Sequence, residues 1–236
     1  MNFKLFVLNI LLITALASCA PKQPGKHFFI LSGQSNMARL NPDDTFTPAI
    51  EAEFGAENCI VVKDALGGQP IRRWYRDWKP KDGLEPKANP DLYDSLMVKV
   101  FAAIENEKVA SVTFIWMQGE RDAKEKHGEV YEASLQGLYE QLSTNLKRND
   151  INFVIGRLSD YDMLNEKYQH WTMIRDIQVK VAESDARFEW INTDDLNDGL
   201  NNKGIEINND LHMSVDGYKV MGERFAEKAI KLVMNK

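Results

Sequence analysis

The feature that most constrains the fold of this chain is the alternation of short apolar runs with longer amphipathic stretches. Five runs have the length and composition of β-strands: His27–Leu31, Asn58–Lys63, Ser111–Trp116, Asn152–Gly156 and Phe188–Asn192. Four stretches repeat apolar residues with helical spacing: Leu92–Asn106, Glu129–Lys147, Lys167–Ser184 and Val215–Met234. Strands joined by helix-length connections pair in parallel, with helices on both faces of the sheet. The sequence therefore predicts an α/β three-layer sandwich around a central, mostly parallel five-stranded sheet.

The start of the chain has the pattern of a targeting segment. Lys4 precedes an apolar run, Leu5 to Leu16, that is too short to span a bilayer comfortably, and small residues follow it. The sequence Leu16-Ala17-Ser18-Cys19 resembles a bacterial lipobox, in which the cysteine carries the lipid. An ordinary signal peptide with a chance cysteine is the alternative interpretation.

We therefore expect three parts: a lipoprotein signal peptide over residues 1–18, a short tether over residues 19–26 and one folded domain over residues 27–236. A lipid on Cys19 would anchor the domain to a membrane of the bacterial cell envelope, on the periplasmic side or at the cell surface. The sequence leaves the choice of membrane and leaflet open, and it leaves the oligomeric state open as well.

The composition disfavours several classes of protein. The formal net charge is -6, and an acidic surface is unfavourable for binding nucleic acid. The four histidines are scattered and there is no pair of cysteines at metal-ligand spacing, so no metal site is expected. No glycine pattern of a nucleotide-binding loop is present. We expect a protein that uses no cofactor and has no nucleic-acid partner.

One serine stands where α/β proteins place their chemistry. The first predicted strand ends in the segment Gly33-Gln34-Ser35-Asn36-Met37, in which small and polar residues replace the apolar run abruptly. The carboxyl end of a central parallel strand is the usual position of reacting groups in such sheets. Ser35 is therefore a candidate nucleophile, and a serine hydrolase would also need a base, an acid and an oxyanion hole.

Three further segments end in small or polar clusters near predicted strand ends or helix starts. Gly67-Gly68 follows the second strand, and such a pair lets a backbone N–H approach a ligand closely. Gln118-Gly119-Glu120 follows the third strand, with Asp122 two residues further on. Asn209-Asp210-Leu211-His212 precedes the last helix. Each cluster alone is a weak signal, but their combination with the serine segment in this order is specific.

Together these blocks resemble those of the SGNH hydrolase superfamily. The similarity is greater to its sialate O-acetylesterase and acetylxylan esterase group, carbohydrate esterase family 6, and it extends from His27 to the last helix. The resemblance implies an SGNH or flavodoxin-like fold and a serine esterase that removes O-acetyl groups from carbohydrate. The expected substrate is sialic acid, xylan or another acetylated glycan.

The resemblance also implies a role for each block. Ser35 would attack the ester carbonyl through an acetyl-enzyme, with His212 as its general base. The backbone N–H groups of Ser35 and Gly68 and the side-chain amide of Gln118 would form the oxyanion hole. The segment around Ser35 lacks the G-x-S-x-G pattern of α/β-hydrolases, which disfavours that alternative.

The acid that supports His212 has two candidates. The superfamily places an aspartate three residues before the histidine, but this chain has Asn209 there, and asparagine carries no charge to stabilise an imidazolium. Asp210 lies two residues before His212, and Glu120 ends the Gln-Gly-Glu block at a neighbouring strand. We favour Glu120 over Asp210.

Side chains around the serine and in one long loop are candidates for substrate binding. Gln34 and Asn36 flank Ser35 and would orient its turn or contact the sugar. Trp74 and Trp78 lie in an irregular stretch between Gly67 and Pro90, and they would stack on sugar rings or pin the loop to the domain. Two other functional classes stay open: a lipase or thioesterase, and a carbohydrate-binding relative without catalysis.

Overall fold

A computed structural model describes residues 25–235 of the chain. Five strands form one sheet in the order β2-β1-β3-β4-β5, and every pair of neighbours is parallel. The strands are β1 Lys26–Gly33, β2 Cys59–Ala65, β3 Val109–Met117, β4 Asn152–Gly156 and β5 Phe188–Ile191. The predicted α/β class, the five strands and their parallel pairing are thus confirmed.

Helices cover both faces of this sheet, which makes the domain a three-layer sandwich. They are α1 Ser35–Arg39, α2 Phe46–Phe54, α3 Asp91–Ile104, α4 Glu120–Glu125, α5 Gly128–Leu146, α6 Trp171–Ala182 and α7 Val215–Met234. The four long helices are those that the periodicity predicts. The short helices α1, α2 and α4 and a two-stranded hairpin, β6 Gly199–Leu200 with β7 Glu206–Ile207, have no counterpart in the sequence prediction.

Alternate side chains of each central strand enter two separate cores. In β1, Phe28 and Ile30 belong to the cluster beneath α3, α5 and α6, whereas Phe29 and Leu31 belong to the cluster beneath α2 and α7. Neighbouring side chains of a strand point to opposite faces, so a strand buried on both sides is apolar throughout. This arrangement explains why β1 reads as a continuous apolar run.

The order of the strands fixes where a site can form. Strands β2 and β3 lie on opposite sides of β1 in the sheet. The connections that follow β1 and β3 therefore diverge at the carboxyl end of these two neighbouring strands. Two glycines make this edge compact. A Cβ on Gly33, whose φ is +146°, would lie 2.0 Å from the Met117 carbonyl oxygen, and Gly119 has a φ of +148° beside the side chain of Ile174.

The predicted signal peptide and the lipid-bearing Cys19 lie outside the described residues. The last two residues of the tether predicted over residues 19–26 belong to the folded domain. Gly25 is buried, and Lys26 begins β1 with a hydrogen bond from its backbone N–H to the Lys108 carbonyl at 2.7 Å. Within residues 25–235, no helix is long and apolar enough to cross a membrane.

Candidate active site

Ser35 is the first residue of α1, directly beyond the carboxyl end of β1. The strand is fixed at this point by the Gln34 backbone N–H, which donates to the Met117 carbonyl at 2.9 Å. Backbone N–H groups in the first turn of a helix have no partner within the helix, and they point toward its N-terminal end. The turn therefore presents both the Ser35 hydroxyl and its own N–H at the edge of the sheet.

His212 lies across from Ser35 and within hydrogen-bond distance of it. The His212 Nε2 atom is 3.2 Å from Ser35 Oγ, although the two residues are 177 positions apart in the chain. Burial lowers the pKa of the His212 ring, the nearby Arg39 lowers it further, and Asp210 opposes the shift. A neutral imidazole next to a serine hydroxyl is the arrangement that general-base catalysis requires.

Asp210 is the carboxylate that faces the other nitrogen of the ring. Its Oδ1 accepts the His212 backbone N–H at 2.9 Å and lies 3.7 Å from His212 Nδ1. The second distance exceeds that of a hydrogen bond, but such contacts are often long before substrate binds. Asn209, at the superfamily's acid position, adopts a φ of +45° and accepts instead from the side chain of Asn197 at 3.2 Å.

Glu120, which we favour as the acid from the sequence, contacts a different partner. It is 1% exposed, and its Oε1 accepts the Asn36 side-chain amide at 2.9 Å. Glu120 Oε2 has no partner and is buried. Burial raises the pKa of Glu120 to about 7, against the smaller opposing effect of its hydrogen bonds. The geometry places Asp210, rather than Glu120, beside the imidazole.

Gly67 and Gly68 line the same pocket as Ser35. A Cβ added to Gly67 would be 3.5 Å from Ser35 Cβ, so the two segments are in close contact. Gly68 has a φ of +72°, a conformation that other residues adopt only with strain, and nothing lies within 4 Å of its free face. This open backbone can approach a substrate carbonyl closely.

Gln118 does not occupy the position that the sequence predicts for an oxyanion donor. It is fully buried, and its Nε2 donates to Asp122 Oδ2 at 2.6 Å and to the Gln69 carbonyl at 3.1 Å. Gln34 Oε1 also lies within 3.3 Å of this amide. This geometry corrects the prediction for Gln118. Its amide donates within a buried hydrogen-bond network, and its shortest bond is the one to Asp122.

Trp74 and Trp78 are core residues, which corrects their predicted stacking on sugar. They are 1% and 3% exposed. Trp74 packs edge-on against Trp116 with ring centroids 5.2 Å apart, and its Nε1 donates to Ser32 Oγ at 3.1 Å. The alternative interpretation, in which the aromatic residues pin the long loop to the domain, is the one that the structure supports. Apart from one 3-10 turn at Ile71–Arg73, the loop is irregular, as the sequence predicts.

The candidate nucleophile and base open into one pocket of about 280 Å³. Its lining includes three side chains that the sequence analysis does not single out: Arg121, Lys124 and Tyr168. Arg121 and Lys124 are three residues apart on α4 and so share a face of this helix. A helix predicted to begin directly after Gly119 would have placed both residues next to the site. Tyr168 comes from the irregular connection between β4 and α6, where the sequence offers no comparable signal.

No group of three or more His, Cys, Asp or Glu side chains is placed to hold a metal ion anywhere in residues 25–235. The Ser35 hydroxyl and the His212 imidazole line the pocket, and the Asp210 carboxylate lies beside the imidazole. A parallel sheet of this order, with such groups at its switch point, is the architecture of the SGNH class of esterases.

Residues 38–231 match the sequence profile of the family described as carbohydrate esterase, sialic acid-specific acetylesterase. The chain belongs to this family, and it is accordingly a carboxylic ester hydrolase of the carbohydrate esterases. The matched range begins just after the segment that carries Ser35. A search among curated proteins finds no match.

Several solved structures share the fold at low sequence identity. A protein from Arabidopsis thaliana has a TM-score of 0.64 and 16% identity, over 88% of this chain and 99% of the other. A carbohydrate acetylesterase from Xanthomonas citri has a TM-score of 0.61 and 15% identity, over 89% of this chain but only 57% of the other. The NanS structure has a TM-score of 0.60 and 13% identity, over 90% of this chain and 99% of the other.

Proposed function

We propose that this protein is a serine esterase that removes O-acetyl groups from carbohydrate through an acetyl-enzyme on Ser35. The observation that carries the proposal is the 3.2 Å contact between Ser35 Oγ and His212 Nε2 inside a pocket of about 280 Å³. Family membership supports the ester chemistry, and the pocket supports a substrate of sugar size.

Acylation follows from the positions of the groups. Ser35 Oγ attacks the acetyl carbonyl carbon while its proton moves to His212 Nε2, and the carbonyl oxygen becomes an oxyanion. The backbone N–H groups of Ser35 and Gly68 are the donors available to stabilise it. The intermediate collapses when the bond to the sugar oxygen breaks and that oxygen takes the proton from His212. The product at this stage is an acetyl ester on Ser35.

Deacylation repeats the same steps with water. His212 Nε2 takes a proton from a water molecule, whose oxygen attacks the acetyl carbonyl carbon. The second oxyanion collapses, Ser35 Oγ leaves and recovers its proton from His212, and acetate is released. Asp210, 3.7 Å from Nδ1, is the carboxylate that supports the imidazolium in both steps.

The charges at the pocket favour an acidic sugar over a neutral one. Arg121 and Lys124 line the same pocket as Ser35, in a chain whose net charge is -6; Arg121 is paired with Glu125 at 2.6 Å, whereas Lys124 lies over the Tyr168 ring. A local positive charge on an acidic surface attracts a carboxylated substrate. An O-acetylated sialic acid therefore fits better than acetylated xylan.

Replacing Lys124 with glutamine should raise KM for an acetylated sialic acid and leave KM for an acetylated neutral sugar within about threefold, since an exposed charge acts mainly on charged ligands.

The decisive experiment replaces Ser35 with alanine in the full chain. Release of acetate from an acetylated sialic acid, and hydrolysis of p-nitrophenyl acetate, should fall by about a thousandfold or more. Ser95→Ala serves as the control, because Ser95 is exposed on α3 and bonds Asp64 away from the pocket. Residual activity of the Ser35 variant within about tenfold of wild type would overturn the proposal.

A folded wild-type protein that neither turns over esters nor reacts with a fluorophosphonate would indicate a carbohydrate-binding relative. Preference for long-chain acyl esters would indicate a lipase or thioesterase.

We also propose, from the sequence pattern alone, that Cys19 carries a lipid that anchors the enzyme in the cell envelope. Metabolic labelling with a palmitate analogue in a bacterial host tests this directly. Cys19→Ala should abolish the label and release the protein from the membrane fraction. Labelling that is retained in the variant would contradict it.

A further inference from the structure

The side chain of Asn36 connects the segment of the nucleophile with the segment of the base. Its Nδ2 donates to Glu120 Oε1 at 2.9 Å and to the Leu211 carbonyl at 3.2 Å, and its Oδ1 accepts the Tyr218 hydroxyl at 2.9 Å. Asn36 is 1% exposed. Both N–H groups and the oxygen of this amide are thus used within the protein.

The hydrogen bonds of the Asn36 side chain connect residues that are adjacent to Ser35 and His212 in the chain. Asn36 directly follows Ser35, and Leu211 directly precedes His212. A carbonyl oxygen only accepts hydrogen bonds, so the Leu211 bond requires the NH2 group of Asn36 on that side. The hydroxyl of Tyr218 on the opposite side then donates to the amide oxygen and secures the same orientation. One amide therefore holds two backbone segments that are remote in sequence.

We infer that Asn36, held by Glu120 and Tyr218, is a positioning residue that fixes the His212 ring against the Ser35 hydroxyl. The inference rests on the proposed function, since it assigns Asn36 a role in the reaction of that dyad. It assigns Glu120 a different role from that of a triad acid: Glu120 supplies an acceptor for Asn36 and has no direct part in proton transfer.

The two oxygens of Glu120 support this role. Oε1 receives the Asn36 amide, whereas Oε2 is buried without a partner. A proton can reside on Oε2 without disturbing the bond at Oε1. The pKa of Glu120 is raised by burial to about 7, so both protonation states occur near neutral pH, and the link to Asn36 is compatible with each. A neutral acceptor of the same shape should thus replace the carboxylate.

The test is a double-mutant cycle with Asn36→Ala and His212→Ala in the full chain, measured as kcat for p-nitrophenyl acetate. Asn36→Ala alone should lower kcat by about a hundredfold, with KM within about threefold, because a misplaced base costs rate more than binding. In the His212→Ala background the same change should lower kcat by less than about threefold, since its effect operates through His212. Equal losses in both backgrounds would overturn the inference.

Glu120 provides the second arm. Glu120→Gln keeps an acceptor for Asn36 and should retain kcat within about fivefold, whereas Glu120→Ala should lose about as much as Asn36→Ala. A Glu120→Gln variant that loses as much as Glu120→Ala would show that the charge matters and would overturn the acceptor role. Tyr218→Phe is the milder variant if Asn36→Ala fails to fold. It keeps the ring, removes the hydroxyl, and should lower kcat several-fold with KM unchanged.

The outcomes remain distinguishable from failure of the proposed function. That failure would appear as turnover that survives Ser35→Ala. Failure of the present inference would appear as additive losses in the cycle, while Ser35→Ala still abolishes turnover. Thermal melting of each variant identifies losses that come only from unfolding, because a variant folded at the assay temperature isolates the effect on rate.

Discussion

The Asp122 carboxylate accepts the backbone N–H of Ile71 at 2.8 Å, and this bond ties the segment after Gly68 to the buried start of α4. The same oxygen accepts the Gln118 amide, which in turn donates to the Gln69 carbonyl. Asp122 thus anchors the segment after Gly68 directly at the Ile71 N–H and, through the Gln118 amide, at the Gln69 carbonyl.

Removing this anchor should impair rate more than binding. Asp122→Ala leaves the Ile71 N–H without its acceptor and removes the shortest of the hydrogen bonds that the Gln118 amide donates, and we expect kcat for p-nitrophenyl acetate to fall by about tenfold to a hundredfold. Asp122→Asn retains an acceptor oxygen and should lose less. Glu129→Gln, which alters only an exposed pair with Lys81, is the matched control. Equal activity of the alanine variant and the control would show that the segment keeps its geometry without Asp122.

Asp210 should be the carboxylate whose charge supports catalysis. Asp210→Asn keeps the shape and the hydrogen bond from the His212 backbone N–H, but it removes the charge beside Nδ1. We expect a loss of kcat of about a hundredfold or more, by analogy with triads that lose their aspartate charge. Glu120→Gln is measured under the same conditions for comparison. A larger loss of kcat in the Glu120 variant than in Asp210→Asn would identify Glu120 as the carboxylate that supports His212.

The pH dependence should report on Arg39. His212 must be neutral to act as base, so kcat/KM rises as pH rises through its pKa. Arg39 lowers the pKa of His212, and replacing it with glutamine removes that effect. The acid limb of the profile should therefore move to higher pH in Arg39→Gln and to lower pH in Asp210→Asn. Lys180→Gln alters an exposed pair between Lys180 on α6 and Glu132 on α5, and it should leave the profile in place. A shift of the Arg39 variant in the opposite direction would contradict the assignment of His212 as the titrating base.

Trp74 should matter for stability and not for the choice of sugar. Its ring is buried against Trp116, and Trp74→Ala leaves a large cavity that should lower the free energy of unfolding by about 3–5 kcal/mol. Denaturant titration measures this loss, with Trp74→Phe expected to lose less. Where the variant is folded, KM for acetylated sugars and for p-nitrophenyl acetate should change by the same factor. A selective rise in KM for the sugars, with normal stability, would favour the stacking role.

The sequence predicts most of the fold because its signals are local. Strand β4 and helix α7 are predicted to the residue, and the other four strands of the central sheet are predicted to within two residues at each end. The periodicity of a buried strand or an amphipathic helix depends only on neighbours in the chain. Helix α4 is missed because six residues give too few turns for a period, and its first residues belong to the site.

The site is predicted in part, for a physical reason. Ser35, Gly68 and His212 come together because strand ends and the last loop meet at one sheet edge. The directions of Gln118 and Glu120 depend instead on partners elsewhere: Asp122 draws the Gln118 amide inward, and Asn36 engages Glu120. Proximity along the chain places a side chain near a pocket, but its competing hydrogen bonds decide where it points.

The separation of Ser35 and His212 by 177 positions makes catalysis a property of the finished chain. A polypeptide still under synthesis carries Ser35 early, yet His212 cannot face it until the last loop has emerged and packed. Hydrolysis of a small ester is therefore a direct assay for complete folding of this domain.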